Sequence, residues 1–252
     1  MNLTAHDNVR TELLRLEAYR GILRSEYQDG TQRSEPSIRL LLLFTSLLKL
    51  RQQARAAQIL ADEFYVEEIL SIGRTMAEVA INAAYLQDAD DQEIHRYQHF
   101  DTQSLYKHSI RLRPHARVQL SPEEQAKIDE AVAFARVATN RKDSDATWSI
   151  RTVFQRAEYS DQKSKLDLML QLVLTVYAYG HQAVHGTNRS LQPFYKALST
   201  TYVPLTEERV EDLVIALGSV NFVLYVFGLF VNSLLHLGKE QDLIQAGKLL
   251  AP

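Results

Sequence analysis

Apolar residues recur every three or four positions through most of this chain, in long stretches broken by short polar segments, which is the period of helices buried along one side. Alternating β-branched runs are almost absent, and nine glycines and six prolines are few for 252 residues, so strands have little support. The pattern predicts an all-α protein, a single antiparallel helical bundle of about seven helices. One helical domain over 1–252 is expected, with 1–33 as N-terminal helix and linker and 34–252 as the bundle core.

Taken in order, Asp7 can cap a first helix to about Gln28, with Leu13, Leu14, Leu16, Tyr19, Ile22 and Leu23 inward, until DGTQRSEPS ends it. Ser34 and Pro36 open a second, whose RLLLLFTSLLKL suits a core and whose later RQQARAAQ should face solvent. A third, near 62–87, carries Ile69, Ile72, Met76, Val79, Ala80, Ala83 and Leu86 at helical spacing. The acidic DADDQE turn starts a fourth, which leads into the basic loop RLRPHARVQ. Ser121, Pro122, Glu123 and Glu124 form a strong start signal for a helix to about Ala138. A short helix with Trp148 and Phe154 follows, and Asp161 or Ser164 opens the next.

That next stretch, Leu166–Gly186, reads LDLMLQLVLTVYAYGHQAVHG and is apolar on nearly every face, so burial on all sides is expected of it. It is the expected centre of the bundle, with helices near 38–60, 62–87 and 206–237 packed on it. The last of these is free of charge from Leu213 to Leu237, long enough to cross a membrane. Gly218, Asn221, Tyr225, Gly228 and Asn232 form a small and polar stripe along it, as expected where another helix approaches closely. A buried bundle helix is therefore expected in place of a tail anchor at 213–237.

Composition narrows the chemistry. A hydrophobic content of 46% suffices for a sizeable core, and a net charge of −3 argues against wholesale coating of nucleic acid, leaving a local basic patch free to bind phosphate. The absence of cysteine excludes disulfides, thiolate nucleophiles and cysteine–zinc sites and fits a cytoplasmic protein. The charged, amphipathic first twenty residues show no signal peptide. No phosphate loop, dinucleotide fingerprint, nucleophile elbow or HExxH occurs, so ordinary nucleotide hydrolases and serine hydrolases fit poorly, and no cofactor is expected.

His181 and His185 stand at i and i+4 on one helical face, in line with Tyr177. They could serve as a general acid and base, or bind a metal if Glu78 or another carboxylate joined them; equally, His185 could answer the helix dipole and His181 be a hydrogen-bonded core residue. Arg74 and Glu78 share the same spacing inside the apolar GRTMAEVAINAAYL. Burying either charge alone costs several kcal/mol, so they pair with each other or with a partner, as a phosphate anchor with a histidine-orienting acid or as a salt bridge between helices. His95 and His99 lie in a polar helix start and read as solvated. Lys107, His108, Arg111, Arg113, His115 and Arg117 form a basic cluster that could grip phosphates or stand as a solvated loop.

The arginine and glutamate of GRTMAEVAINAAYL, Trp148 before the central helix, and the ending YxxxHxxVHGT together resemble a bacterial all-helical family of unknown function, over roughly residues 38–190. More distantly the chain resembles the HEPN superfamily, helical bundles that include metal-independent ribonucleases and toxins of bacterial defence systems. That resemblance implies His185 as acid or base on a 2′-hydroxyl or phosphate; the candidate site then takes in His181 and Glu78, with Arg74, Arg111, Arg113 and Arg189 as phosphate contacts. HEPN nucleases also carry an arginine one to two turns before the histidine; here Arg74 would supply it from another helix. The expected function is to bind or cleave RNA or a nucleotide without metal, in a stress or phage-defence system. The alternatives are a non-enzymatic module that dimerises or binds a partner protein through the Gly218–Asn232 stripe, and a metal-dependent hydrolase using His181, His185 and Glu78.

Overall fold

The computed structural model describes residues 4–33, 37–100, 121–139, 149, 151–180 and 209–249. All regular structure among them is helical. The helices are α1 (Ala5–Arg33), α2 (Ile38–Ala61), α3 (Val66–Asp88), α4 (91–100), α5 (Pro122–Thr139), α6 (Val153–Ser164), α7 (Met169–Gly180), α8 (Val210–Leu235) and α9 (Glu240–Gly247). They fall into two compact units, one of residues 1–87 and 153–252, the other of 88–152.

In the larger unit the helices are bundled around α8, on which α1, α2, α7 and α9 all pack. The sequence pointed to α7 as the centre; instead Leu174 on α7 is 68% exposed, whereas Leu213, Leu217, Val220, Leu224, Phe227 and Val231 on α8 are fully buried. α8 is long and apolar enough to cross a membrane by length and composition, a test that the core helix of a bundle also passes. Its small and polar stripe is a seam within the chain. Asn221 meets Glu12, Tyr225 meets Tyr19 with ring centroids 6.0 Å apart, and a Cβ on Gly228 would lie 3.4 Å from Leu23 and 2.8 Å from Leu243. The partners advance along both helices together, so α1 runs parallel to α8. That seam is filled by α1 and α9.

α2 runs antiparallel to its neighbours. Arg51 donates to the Arg20 carbonyl of α1, and Arg39 donates to the Leu86 and Gln87 carbonyls, satisfying groups that the end of α3 leaves open. Its later part is not wholly solvent-facing, because Ala54 and Ala57 are buried against the core. The helix begins later than expected, with Ser37 accepting from the Leu40 amide, and α3 begins at Val66 after a turn with Phe64 at φ 57°. α1 outlasts its expected end at Gln28: Gly30 remains helical where only a hydrogen fits, since a Cβ would meet Leu235 and Phe44 at 2.9 Å. Its cap is Thr4, with Asp7 answering from the third helical position. Leu14 is 41% exposed and faces outward, contrary to the inward position expected of it.

The smaller unit shows both start signals that its sequence carries. Asp90 accepts from the Glu93 amide at the start of α4, and Ser121 and Glu124 form a reciprocal capping box at the start of α5. His95 is exposed on α4, as the solvated reading expects.

Candidate functional site

Three helices of the larger unit bring polar side chains to one place. α6 and α7 are joined by a tight turn with Lys165 at φ 59° and Asp167 at φ 48°. Buried Asp161 organises that turn: one carboxylate oxygen accepts from the Leu168 and Met169 amides at 2.9 and 2.8 Å, and the other from Leu170 at 2.8 Å. Three of the orphan donors at the start of α7 are thereby satisfied, as a helix start requires. The sequence placed the start of this helix at Asp161 or Ser164; both belong to α6, and α7 begins at Met169.

Midway, Val173–Tyr177 widen into a π-helical turn, with the Ala178 amide bonded to the Val173 carbonyl five residues back. At its end Gly180 lies so close to α3 that a Cβ would be 2.7 Å from Arg74 Cβ and 2.8 Å from the Leu70 carbonyl oxygen. The close approach aligns Tyr177 with Arg74. A guanidinium nitrogen donates to the phenol oxygen at 3.2 Å, and the guanidinium carbon lies 4.7 Å from the ring centroid. The side chain is thus held by a hydrogen bond and a cation–π contact together.

Glu78, one turn beyond Arg74 on α3, sits between two arginines. Arg74 Nη2 approaches one of its oxygens at 4.0 Å, and Arg156 Nη2 on α6 approaches the other at 4.0 Å. Side-chain exposure falls from 35% for Glu78 to 17% for Arg74 and 4% for Arg156, so the carboxylate is the open side of the cluster. Both contacts are longer than a hydrogen bond, and Arg74 Nε is buried without a hydrogen-bond partner. Arg74, with a donor to spare beside a half-open carboxylate, is suited to an oxyanion, which a planar guanidinium can grip bidentately.

The structure therefore brings Arg74 and Glu78 together and adds Arg156, which the sequence reading missed. Arg156 sits in the polar VFQRAEYSDQKS, where a single arginine looks solvated. The available signal was the small-residue line around it: Ala157, Ser160 and Asp161 share its buried face. His181, His185, Arg111, Arg113, Arg189 and Trp148 lie outside the described residues, as does the rest of the basic cluster over 107–117. Among the described residues, no three histidine or acidic side chains gather closely enough to hold a metal ion.

Comparison with known proteins returns no match among curated proteins or solved structures. The family of unknown function DUF5677 matches residues 40–200, well over half of the 252-residue chain. That span includes Arg74, Glu78, Arg156 and Tyr177, and leaves out α1, α8 and α9. With its polar cluster inside the matched segment, the chain belongs to the DUF5677 family.

Proposed function

We propose that this protein is a HEPN-like phosphate-binding protein that binds or cleaves RNA or a nucleotide without metal, in a bacterial stress or defence system. The observation that carries the reading is the convergence of Arg74 and Arg156 on Glu78, with Arg74 fixed by Tyr177. Arg74, the residue expected to substitute for the arginine missing before His185, stands beside a half-open carboxylate with a donor to spare, which supports a phosphate-gripping role for it. Gly180, packed on Arg74, is followed directly in sequence by His181 and five residues later by His185. In this reading His185 moves the proton at a 2′-hydroxyl or phosphate, His181 assists, and Arg74 and Arg156 hold the phosphate. Arg111, Arg113 and Arg189 are further candidates for phosphate contact.

The test is RNA binding and cleavage by wild type beside His185→Ala and Arg74→Ala, in buffer containing a chelator. Loss of a chelator-resistant cleavage in a His185→Ala protein of unchanged melting temperature is expected, with weakened RNA binding in Arg74→Ala. Wild type that neither binds nor cuts RNA or nucleotides would sink the proposal.

A further inference from the structure

We infer that Arg20, Arg24, Arg51 and Arg55, on the face shared by α1 and α2, form an oligophosphate site that takes a chain of linked phosphates, such as a triphosphate, in preference to a single phosphate. The site shares no helix with Arg74 and stands independently of the function proposed above.

The two helices are antiparallel neighbours, and each carries two of these arginines one turn apart, about 6 Å along its axis. Packed helix axes lie about 8–10 Å apart, so the four side chains start from the corners of a small patch. Three contacts draw them together. Arg20 and Arg55 donate to the same oxygen, Gln58 Oε1, at 3.0 and 2.9 Å, and Arg51 Nε donates to the Arg20 carbonyl at 3.2 Å. Burial lowers the pKa of Arg51, and the charges of Arg20 and Arg24 lower it further, so like charges are crowded here. Among the described residues no carboxylate lies within 4.0 Å of any of the four guanidiniums. Glu17, one turn before Arg20, is exposed and pairs with none of them, and α2 has no acidic residue from Ser37 to Ala61.

The donors of this cluster are correspondingly open. Arg20 Nε is buried without a hydrogen-bond partner, and among the described residues the terminal nitrogens of Arg51 and the guanidinium of Arg24 meet no acceptor. Planar guanidiniums crowded without a counter-charge repel one another, and an anion that takes up their spare donors relieves the repulsion. A single phosphate gathers its oxygens around one phosphorus and cannot reach every corner. A chain of three phosphates carries about four negative charges at neutral pH, its terminal group titrating near 6, and extends from one helix to the other.

Binding to the full chain is measured at pH 7.5, at matched ionic strength and with a chelator present. The probes are inorganic phosphate, tripolyphosphate, adenosine 5′-triphosphate and a single-stranded oligoribonucleotide. Tripolyphosphate should bind at least about tenfold tighter than phosphate and raise the melting temperature. Adenosine 5′-triphosphate matching it identifies the phosphate chain alone as the ligand, and tighter binding adds the nucleoside. Arg24→Gln combined with Arg55→Gln changes two exposed residues; it should abolish the preference for tripolyphosphate and raise the melting temperature of the free protein. Equal binding of phosphate and tripolyphosphate marks general screening and overturns the inference, as does a preference that survives the double substitution. Loss of tripolyphosphate binding in Arg74→Ala but not in the double variant moves the site to α3; it overturns this inference and leaves the proposed function standing. Binding of the oligoribonucleotide alone through Arg24 and Arg55 also overturns it, in favour of a nucleic-acid strand.

Discussion

The side-chain nitrogen of Asn221 on α8 donates to two oxygens of Glu12 on α1, the backbone carbonyl at 2.8 Å and the carboxylate at 2.7 Å. The other carboxylate oxygen of Glu12 pairs with Arg15 at 2.7 Å, so a polar link is closed inside an otherwise apolar seam. Removing the amide leaves a nearly buried carboxylate short of a donor, which costs about 1–3 kcal/mol. Asn221→Leu should lower stability by that amount in denaturant titration, and an unchanged midpoint would show the link to be dispensable.

Glycines on the two packed faces should rank by what a methyl group meets. Gly180→Ala drives a Cβ into the α3 backbone at the Leu70 carbonyl, a place that cannot yield, so α7 must move away from Arg74. A loss of about 1–3 kcal/mol and weaker phosphate binding are expected together. Gly228→Ala meets the far ends of Leu243 and Leu23, which can shift, and should be milder. Gly218→Ala finds nothing closer than a Glu12 oxygen at 3.9 Å and should stabilise by up to about 1 kcal/mol through helix propensity. Thermal melts of the three variants check the order, and equal losses would contradict it.

Glu26 on α1 is fully buried, and neither carboxylate oxygen has a hydrogen-bond partner. Burial pushes its pKa up to about 8, with Lys239 pulling weakly the other way. Between the ordinary carboxylate range and about pH 8 the folded protein holds a proton that the unfolded chain has released, so stability falls as pH rises through that window. Glu26→Gln keeps the shape without the charge. It should match wild type near pH 4 and exceed it increasingly toward pH 9; parallel stability curves for the two proteins would refute the assignment.

Asp161→Ala strips three amides at the start of α7 of their acceptor. A cost of about 2 kcal/mol is expected, at the upper end for a helix cap because the site is buried. Asp161→Asn retains one acceptor oxygen and should lose less. Because α7 carries Tyr177, both variants should also weaken phosphate binding in proportion to their loss of stability.

How far the sequence revealed all this depended on the range of the cause. Ser121 with Glu124 and Asp90 at the start of α4 are local signals, and each acts where its residue type says it should, whereas Asp161 lies inside α6 and reaches the start of α7 only because the chain turns back. The all-helical fold follows from a period that is equally local. Gly30 misled because a glycine next to Asp29 looks like a helix stop, whereas its small size serves Phe44 and Leu235 on other helices. The choice of α8 over α7 as the centre depended on α1, and α7 shows Leu174 to solvent despite its apolar sequence. Arg74 and Glu78 were legible because charge in an apolar helix needs an explanation. Arg156 was not, since a charge in a polar helix needs none until α3 is seen beside it.

The wide turn at Val173–Tyr177 holds one residue more than a regular helix would need to cover the same rise. The chain could therefore lose a residue there and still keep its helix. Such a deletion would rotate everything on one side of the turn by about 100° relative to the other. With Asp161 anchoring the start of α7 and Gly180 fitting the α3 backbone at its end, both faces cannot survive the rotation. The surplus residue acts as a phase adjuster, setting the helix start and the Tyr177–Gly180 edge at independent angles.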